Sequence, residues 1–548
     1  MKAGDKMNKA DLVIKSTSIY TSATANTVSG AVAVKENKIV YVGGLNDLEA
    51  FIGPDTIILD YGNKTVTPGF VDAHAHVFLT VLLNSGIMTF ICVESEEKTV
   101  ELMDDYVATR KPDDWLITFG WYMPLFTNKK LPTKASIDAK YPDRPVMMIS
   151  GDCHTAWINS KAMEILGISE DTPVPAGGEF VRDENGKLTG VFQETAGLCV
   201  FMKALYFLDQ NEIVAAYDQV FNYFASFGHT TICDISIMPL DEGKDGLRED
   251  VYLKMLEANK LKTRVELFPA ITKTLKRVKE LNGLNEHDML RFAGTKQFFD
   301  GVSGTHTAYL SEPYTDAYFE GDRGRTTISP EDMEQLIFTA QDKGYSMRIH
   351  TIGDGAVHCA LNSFEKAYER FGRKPQLQHT LEHVENIQKG DIKRLHDLDI
   401  LVSAQPGHAL IDPAGIEADL GIERIKLMWP FRSFIDSGVK LAFGTDAPIV
   451  PSNPMLTIYE AVTRQNESGE PKGGWVPQQK ITLAEAITAH TFGGAQACTM
   501  DGKTGTLEVG KYADIAVLDR NIFECPVEQF LEVKCELTVV DGKIVYKK

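Results

Sequence analysis

The pattern of apolar and polar positions is clearest in residues 65–80, TVTPGFVDAHAHVFLT, where Val71, Ala73, Ala75 and Val77 alternate with Asp72, His74 and His76. A strand of period two would put the three polar side chains on one face. That face is wet, paired with partners, or holding something. Upstream, DLVIKSTSIYTS, GAVAVKENKIVYVGG and DTIILDYGNKTVTPG read as short strands, with turn signals at Asn37 and at Gly62-Asn63. The far end answers with GTLEVGKYADIAVLDRN and ELTVVDGKIVYKK, the latter carrying an Asp-Gly hairpin signal. The two ends predict one small β-sandwich domain assembled from residues 8–66 and 497–548.

Between them, compact apolar runs recur, each followed by a helical stretch: HTTICDISI, TRVELFPAI, GTKQFFDGV, YSMRIHTIGD, LQHTLEHVE, ILVSAQPG and VKLAFGTDAP. Strands alternating with helices imply a parallel sheet, and this many units predict an α/β fold of the (β/α)8 TIM-like barrel type over residues 67–496. No glycine-rich dinucleotide fingerprint accompanies the pattern. The segment from about 82 to 203 is far too long for one strand-to-helix connection and is expected to be a structured insertion after the first barrel strand.

Charge narrows the choice of partners. The 548 residues hold 56 basic and 76 acidic side chains, a formal charge of -20. Their basic residues are scattered, which argues against nucleic acid, whose recognition needs clustered Lys and Arg, and against an anionic membrane surface. The charged N-terminus lacks the apolar core of a signal peptide, and no run is long enough for a membrane helix. Eight dispersed cysteines without a CxxC fit free thiols in a reducing compartment. The expectation is a cytoplasmic protein.

Five strand units carry an ionisable or metal-capable residue at or near a strand end: Asp72, His74 and His76 first, then Lys296, His350, His383 and Asp446. In a barrel such ends converge on one mouth, where active sites lie, so residues far apart in sequence make one cluster. A lone histidine such as the one in RIHTIGD is more often a hydrogen-bonded core residue than a ligand. Two imidazoles spaced i, i+2 on one strand face can grip a single ion, and burying both unpaired would be costly. Imidazoles with carboxylates suit Zn²⁺ or a similar divalent ion.

With TPGFVDAHAH, IHTIGD, LEHVE, AFGTDAP and GTLEVGKYADIAVLD, the chain resembles the metal-dependent amidohydrolase superfamily. SGDCHTAWINSKAMEILGI, TGVFQETA and KQFFDGVSGTHTAYL narrow the resemblance to the amidohydrolase 3, or YtcJ-like, branch, which includes N-substituted formamide deformylases. That resemblance implies His74, His76, His350, His383 and Asp446 as metal ligands. It also implies Lys296 as a carboxylated bridge between two metals, with a salt bridge to Asp300 or substrate contact as the alternatives and Glu194 as a competitor. One or two divalent ions are expected, Zn²⁺ first, with Mn²⁺, Fe²⁺ or Co²⁺ as alternatives. Asp446 would shuttle the proton from water to the leaving nitrogen, with His383 or His350 orienting the carbonyl. In the insertion, Trp121, Tyr122, His154, Asn159 and Glu194 are candidates for substrate binding, although each aromatic could equally be insertion core. Asp72, Arg348 and Asp354 would brace the ligand strands. His306 stands where relatives often carry arginine. The expected activity is hydrolysis of non-peptide C–N bonds in small linear amides or N-acyl and N-formyl amines. The rival readings are cyclic amide hydrolysis, deamination or ester hydrolysis on the same scaffold, and a catalytically inactive assembly protein. The resemblance also implies a homodimer.

Overall fold

The computed structural model describes residues 9–151, 155–175, 178–237, 245–284 and 287–548. It divides into two compact units, residues 1–77 with 221–548, and residues 78–220.

The first unit is built on parallel strands, numbered here β1 (Phe70–Ala75), β2 (His229–Ile235), β3 (Arg264–Phe268), β4 (Thr295–Phe298), β5 (Met347–Thr351), β6 (Thr380–His383), β7 (Leu401–Ala404) and β8 (Leu441–Phe443). Helices follow them, among them Glu249–Glu257 after β2, Pro330–Lys343 after β4, Asp354–Phe371 after β5, Pro413–Arg424 after β7 and Pro454–Thr463 after β8. Every residue of β1, β2, β3, β5 and β6 is buried, as expected for parallel strands covered on both faces. This is a TIM-barrel-like α/β arrangement, with one correction. Instead of one continuous ring of ladder, β1–β3 pair in one parallel run and β4–β8 in another. The runs meet at isolated parallel bridges, Ala270 with Lys296 and Ala75 with Ala447. The second seam has a local cause: Asp446, just beyond β8, takes φ 53, which turns the chain out of extended pairing.

The two chain ends form one eight-stranded sheet. Its order is Lys543–Lys547, Cys535–Val540, Ile515–Leu518, Thr65–Pro68, Leu12–Ile19, Val28–Lys35 and Lys38–Gly43, with Ile57–Asp60 also beside Leu12–Ile19. Ile14, Val32 and Val66 from one end pack with Ile515, Val517 and Leu537 from the other in a shared core. The strands are hydrogen-bonded into a single sheet rather than two separate layers.

The unit of residues 78–220 brackets the expected insertion. It holds a six-stranded sheet in the order Gly178–Arg182, Leu188–Glu194, Thr155–Ile158, Val146–Ser150, Leu116–Trp121 and Met88–Phe90. Its own core gathers Met103, Leu116, Trp121, Phe126, Ile137, Val146, Met148 and Trp157. Among the described residues no helix is long and apolar enough to cross a membrane, and the described cysteines are free thiols.

Candidate metal centre

At the end of β1, His74 and His76 are each fixed through Nδ1. His74 Nδ1 lies 2.6 Å from Glu382 Oε2, and His76 Nδ1 lies 2.9 Å from the Ile235 carbonyl oxygen. Both partners are acceptors, so each Nδ1 carries a proton and each Nε2 points away from that bond. The two Nε2 atoms converge on one carboxylate oxygen, Asp446 Oδ1, at 3.4 Å from His74 Nε2 and 3.1 Å from His76 Nε2. Asp446 Oδ1 is buried without a hydrogen-bond partner. Burial pushes the His74 imidazole down to about 4, which keeps it neutral at pH 7. The lone pair of a neutral His74 Nε2 and a carboxylate oxygen facing one another in a buried site repel, and a cation between them removes the repulsion. The spacing fits one: Zn–N and Zn–O bonds of about 2.1 Å at tetrahedral angles set ligand atoms about 3.4 Å apart.

The chain around Asp446 is shaped to deliver it. An added Cβ at Gly444 would come within 2.4 Å of the His74 nitrogen, so only glycine lets β8 approach β1 this closely. The Asp446 N–H donates to the His74 carbonyl at 2.7 Å. Asp72 holds the turn from below: its carboxylate accepts from Thr445 N at 2.9 Å, Thr445 Oγ1 at 2.6 Å and His74 N at 3.2 Å. Asp72 is thus a brace for the two ligand segments. Glu382 braces His74 in turn and accepts from Arg348 at 3.0 Å. Burial alone would raise the Glu382 carboxyl, but Arg348 and His74 outweigh it and hold it at about 2. Asp354 accepts from Ser311 N at 2.9 Å.

A second group of possible ligands, His383, Glu385 and His408, has donor atoms within 4.8 Å of one another. His383, at the end of β6 with φ 70, places its Nδ1 2.8 Å from Gln405 Oε1, and its ring centroid is 5.1 Å from that of His74. His408 lies between the groups, Nδ1 3.5 Å from Glu385 Oε1 and Nε2 3.7 Å from Asp446 Oδ2. The two oxygens of Asp446 therefore face different imidazoles. Glu385 and His408 were missed from the sequence. The signal for Glu385 was available, because His383 and Glu385 repeat the i, i+2 spacing of His74 and His76. His408, in QPGHAL, sits alone beyond β7 and looks like any loop histidine.

Of the other expected ligands, His350 joins no group of His, Cys, Asp and Glu at metal-sized spacing among the described residues. His350 lies with its ring centroid 4.5 Å from that of His383, but its Nε2 faces the Gly301 carbonyl at 3.1 Å. Lys296 Nζ is buried with no hydrogen-bond partner and lies 4.7 Å from the centre of the Phe298 ring. Burial pushes its ammonium down to about 8, with Glu382 and Asp446 pulling it partly back. The proposed partner Asp300 is occupied otherwise, accepting from the backbone of Tyr309, Ile352 and Gly353 at 3.0, 3.0 and 2.8 Å.

The candidates for substrate binding fall in the unit of residues 78–220, and two of them are committed to its interior. Asn159 is buried, and its amide is fully engaged: Oδ1 accepts from Val146 N and Ala162 N, while Nδ2 donates to the Tyr141 and Arg144 carbonyls. Trp121 is buried with its indole N–H donating to Met148 O at 3.2 Å and its ring near Trp157 and Phe126. Their chemistry is that of a helix cap and a core aromatic, which corrects the expectation of ligand contact. Tyr122 is half-buried ahead of the 3-10 turn Met123–Leu125. Glu194 is half-buried at φ 54, between the strand Leu188–Glu194 and the helix Thr195–Leu205. His154 lies outside the described residues.

Comparison with known proteins adds a family match, two relatives and one solved structure. The profile of the Amidohydrolase family matches residues 58–546. YtcJ of Bacillus subtilis is 28% identical over 97% of this chain and 98% of its own length, and an N-substituted formamide deformylase of Arthrobacter pascens is 26% identical over 98% of each chain. The crystal structure of an uncharacterized metal-dependent hydrolase from Pyrococcus furiosus superimposes with a TM-score of 0.71 at 27% identity, covering 93% of this chain and 99% of that one.

Proposed function

The chain belongs to the amidohydrolase family of hydrolytic enzymes, and from that premise we propose that it hydrolyses non-peptide C–N bonds in small linear amides or N-acyl and N-formyl amines. The observation that carries the reading is the convergence of the His74 and His76 Nε2 atoms on the buried Asp446 Oδ1. His74, His76 and Asp446 are the residues that would hold a divalent ion, with His383, Glu385 and His408 able to hold a second. Zn²⁺ suits this donor set best. Bound there, the ion supplies charge that polarises a carbonyl and acidifies water.

Everything else falls to the chain's own groups. Glu382 and the Ile235 carbonyl keep the ligand rings in the Nδ1–H tautomer, so that both Nε2 atoms stay available. Asp446 is a carboxylate with one oxygen toward His74 and His76 and the other toward His408, a position from which it can take a proton from water and return it to the departing nitrogen. His383 is placed to orient a carbonyl. Lys296, a buried amine without a partner, populates the neutral form near pH 8 and is the candidate for carboxylation. Its amine nitrogen would bond to the carbon of CO2 and release one proton, leaving an anionic carbamate. A native ¹³C NMR spectrum after ¹³C-bicarbonate labelling should show a carbamate carbon that Lys296→Met lacks.

The relative in Arthrobacter pascens named for deformylation supports placing formamides first among substrates. The same family reading carries a homodimer as a further proposal, and the dispersed thiols and charged N-terminus carry a cytoplasmic location. A panel of formamides, N-acyl amino acids, hydantoins, aminated heterocycles and aryl esters tests the substrate class. Turnover of linear amides that is lost with chelation and regained with Zn²⁺ is expected. Turnover confined to cyclic amides, esters or aminated rings would move the assignment within the family.

A further inference from the structure

A third group of donor atoms, from His306, Asp316 and Asp419, shares no residue with the other two and also lies within 4.8 Å. His306 belongs to the loop after β4, at φ 53, and its ring is clamped between Tyr314 and Tyr318. The centroid distances are 4.0 and 3.9 Å and the planes lie within 3° and 11° of parallel. Its Nδ1 is 2.9 Å from Asp322 Oδ2, so a carboxylate takes the Nδ1–H and leaves Nε2 as a donor, the carboxylate–imidazole pairing that commonly orients a metal ligand. Nε2 points at Asp316 Oδ1, 3.2 Å away, and at Asp419 Oδ1, 3.7 Å away. These values bracket the separation of about 3.4 Å expected between neighbouring ligands of a tetrahedral zinc.

Charge supplies an independent argument. Asp419 is buried, and its Oδ2 has no hydrogen-bond partner. Three carboxylates, Asp316, Asp322 and Asp419, face one imidazole, so even a protonated ring leaves the group negative in a partly dry setting. Arg424, at the end of the helix that carries Asp419, does not compensate: it donates to the carbonyls of Leu420, Glu312 and Asp419 and to Thr315 Oγ1.

We propose that His306, Asp316 and Asp419 form a second divalent-cation site of the Zn²⁺ or Mn²⁺ class, separate from the proposed catalytic centre. Asp316 lies in the loop after β4 and Asp419 on the helix Pro413–Arg424, and Thr315 N already donates to Asp419 O at 2.7 Å between them. A bound ion clamps these two segments together. It has no part in the hydrolytic reaction.

The test is a count of metal on the full-length chain. Protein stripped by a chelator is dialysed against micromolar Zn²⁺, and bound metal is measured by mass spectrometry. Asp316→Ala, which alters an exposed side chain, and the isosteric Asp419→Asn should each hold one equivalent fewer than the parent or bind it at least tenfold more weakly. His74→Asn should retain that equivalent. Zn²⁺ should also raise the melting temperature of His74→Asn but not that of the double variant His74→Asn with Asp316→Ala. Unchanged stoichiometry and affinity in both Asp316→Ala and Asp419→Asn would overturn the site. Loss of all metal in His74→Asn alone would overturn it equally, without touching the catalytic proposal.

Discussion

Asp446 and Asn159 are both buried polar side chains, one at the seam between β8 and β1 and the other in the unit of residues 78–220. Asn159 has both amide atoms doubly engaged by backbone groups, as a buried amide should. Asp446 keeps a buried oxygen with no hydrogen-bond partner assigned by geometry, and the Nε2 atoms of His74 and His76 both face it at 3.4 and 3.1 Å. Both side chains are buried, Asn159 fully and Asp446 to 8% exposure, but satisfaction differs. A polar atom left unsatisfied in a dry place costs stability, and the surrounding glycine, positive φ and bracing carboxylates show a backbone shaped around that cost. A satisfied atom holds the fold together. An unsatisfied one is held by the fold for something else.

Substitutions can break this contrast. Asp446→Asn should lower kcat by about 10²–10⁴-fold, the range for losing a proton-transfer group, with a melting temperature at or above that of the parent; steady-state kinetics with thermal melting reads both. Asn159→Ala should do the reverse, destabilising by about 3 kcal/mol through a lost helix cap and orphaned backbone groups, while kcat per folded molecule holds. Denaturant titration measures the first effect and active-site-normalised kinetics the second; a fall in kcat larger than threefold would make Asn159 part of the site after all. Glu382→Gln keeps the shape but weakens the hold on His74 Nδ1, so metal affinity should fall about 10–100-fold, and activity should recover when more metal is added. Trp121→Phe removes one indole hydrogen bond and should cost about 1–2 kcal/mol with unchanged KM. A raised KM would return Trp121 to the substrate pocket.

The same distinction explains what was legible in the sequence. His74, His76 and Asp446 were readable because alternation puts the two histidines on one face and strand ends gather at one mouth. Asp72 was readable as a brace for the same reason: its register places it two residues before His74, level with the turn at Thr445. Helix-following strands are local patterns, so the α/β character could be read, whereas the seams between β3 and β4 and between β8 and β1 depend on backbone turns that no alternation records. Asn159 and Trp121 were misassigned because a sequence shows that a residue is polar or aromatic and never shows whether its atoms are already paired. His408 and Glu385 were hidden by their positions just past β7 and β6, where chain direction is set by tertiary contacts. Lys296 is the intermediate case: its strand could be identified, but its isolation from Asp300 depends on three backbone N–H groups that claim that carboxylate first.

Diffraction data collected at the zinc absorption edge from crystals of the metal-loaded protein test the central claim most directly. The account predicts an anomalous peak bounded by His74 Nε2, His76 Nε2 and Asp446 Oδ1, absent from crystals of His74→Asn. Saturating zinc with no peak between those three atoms would contradict it.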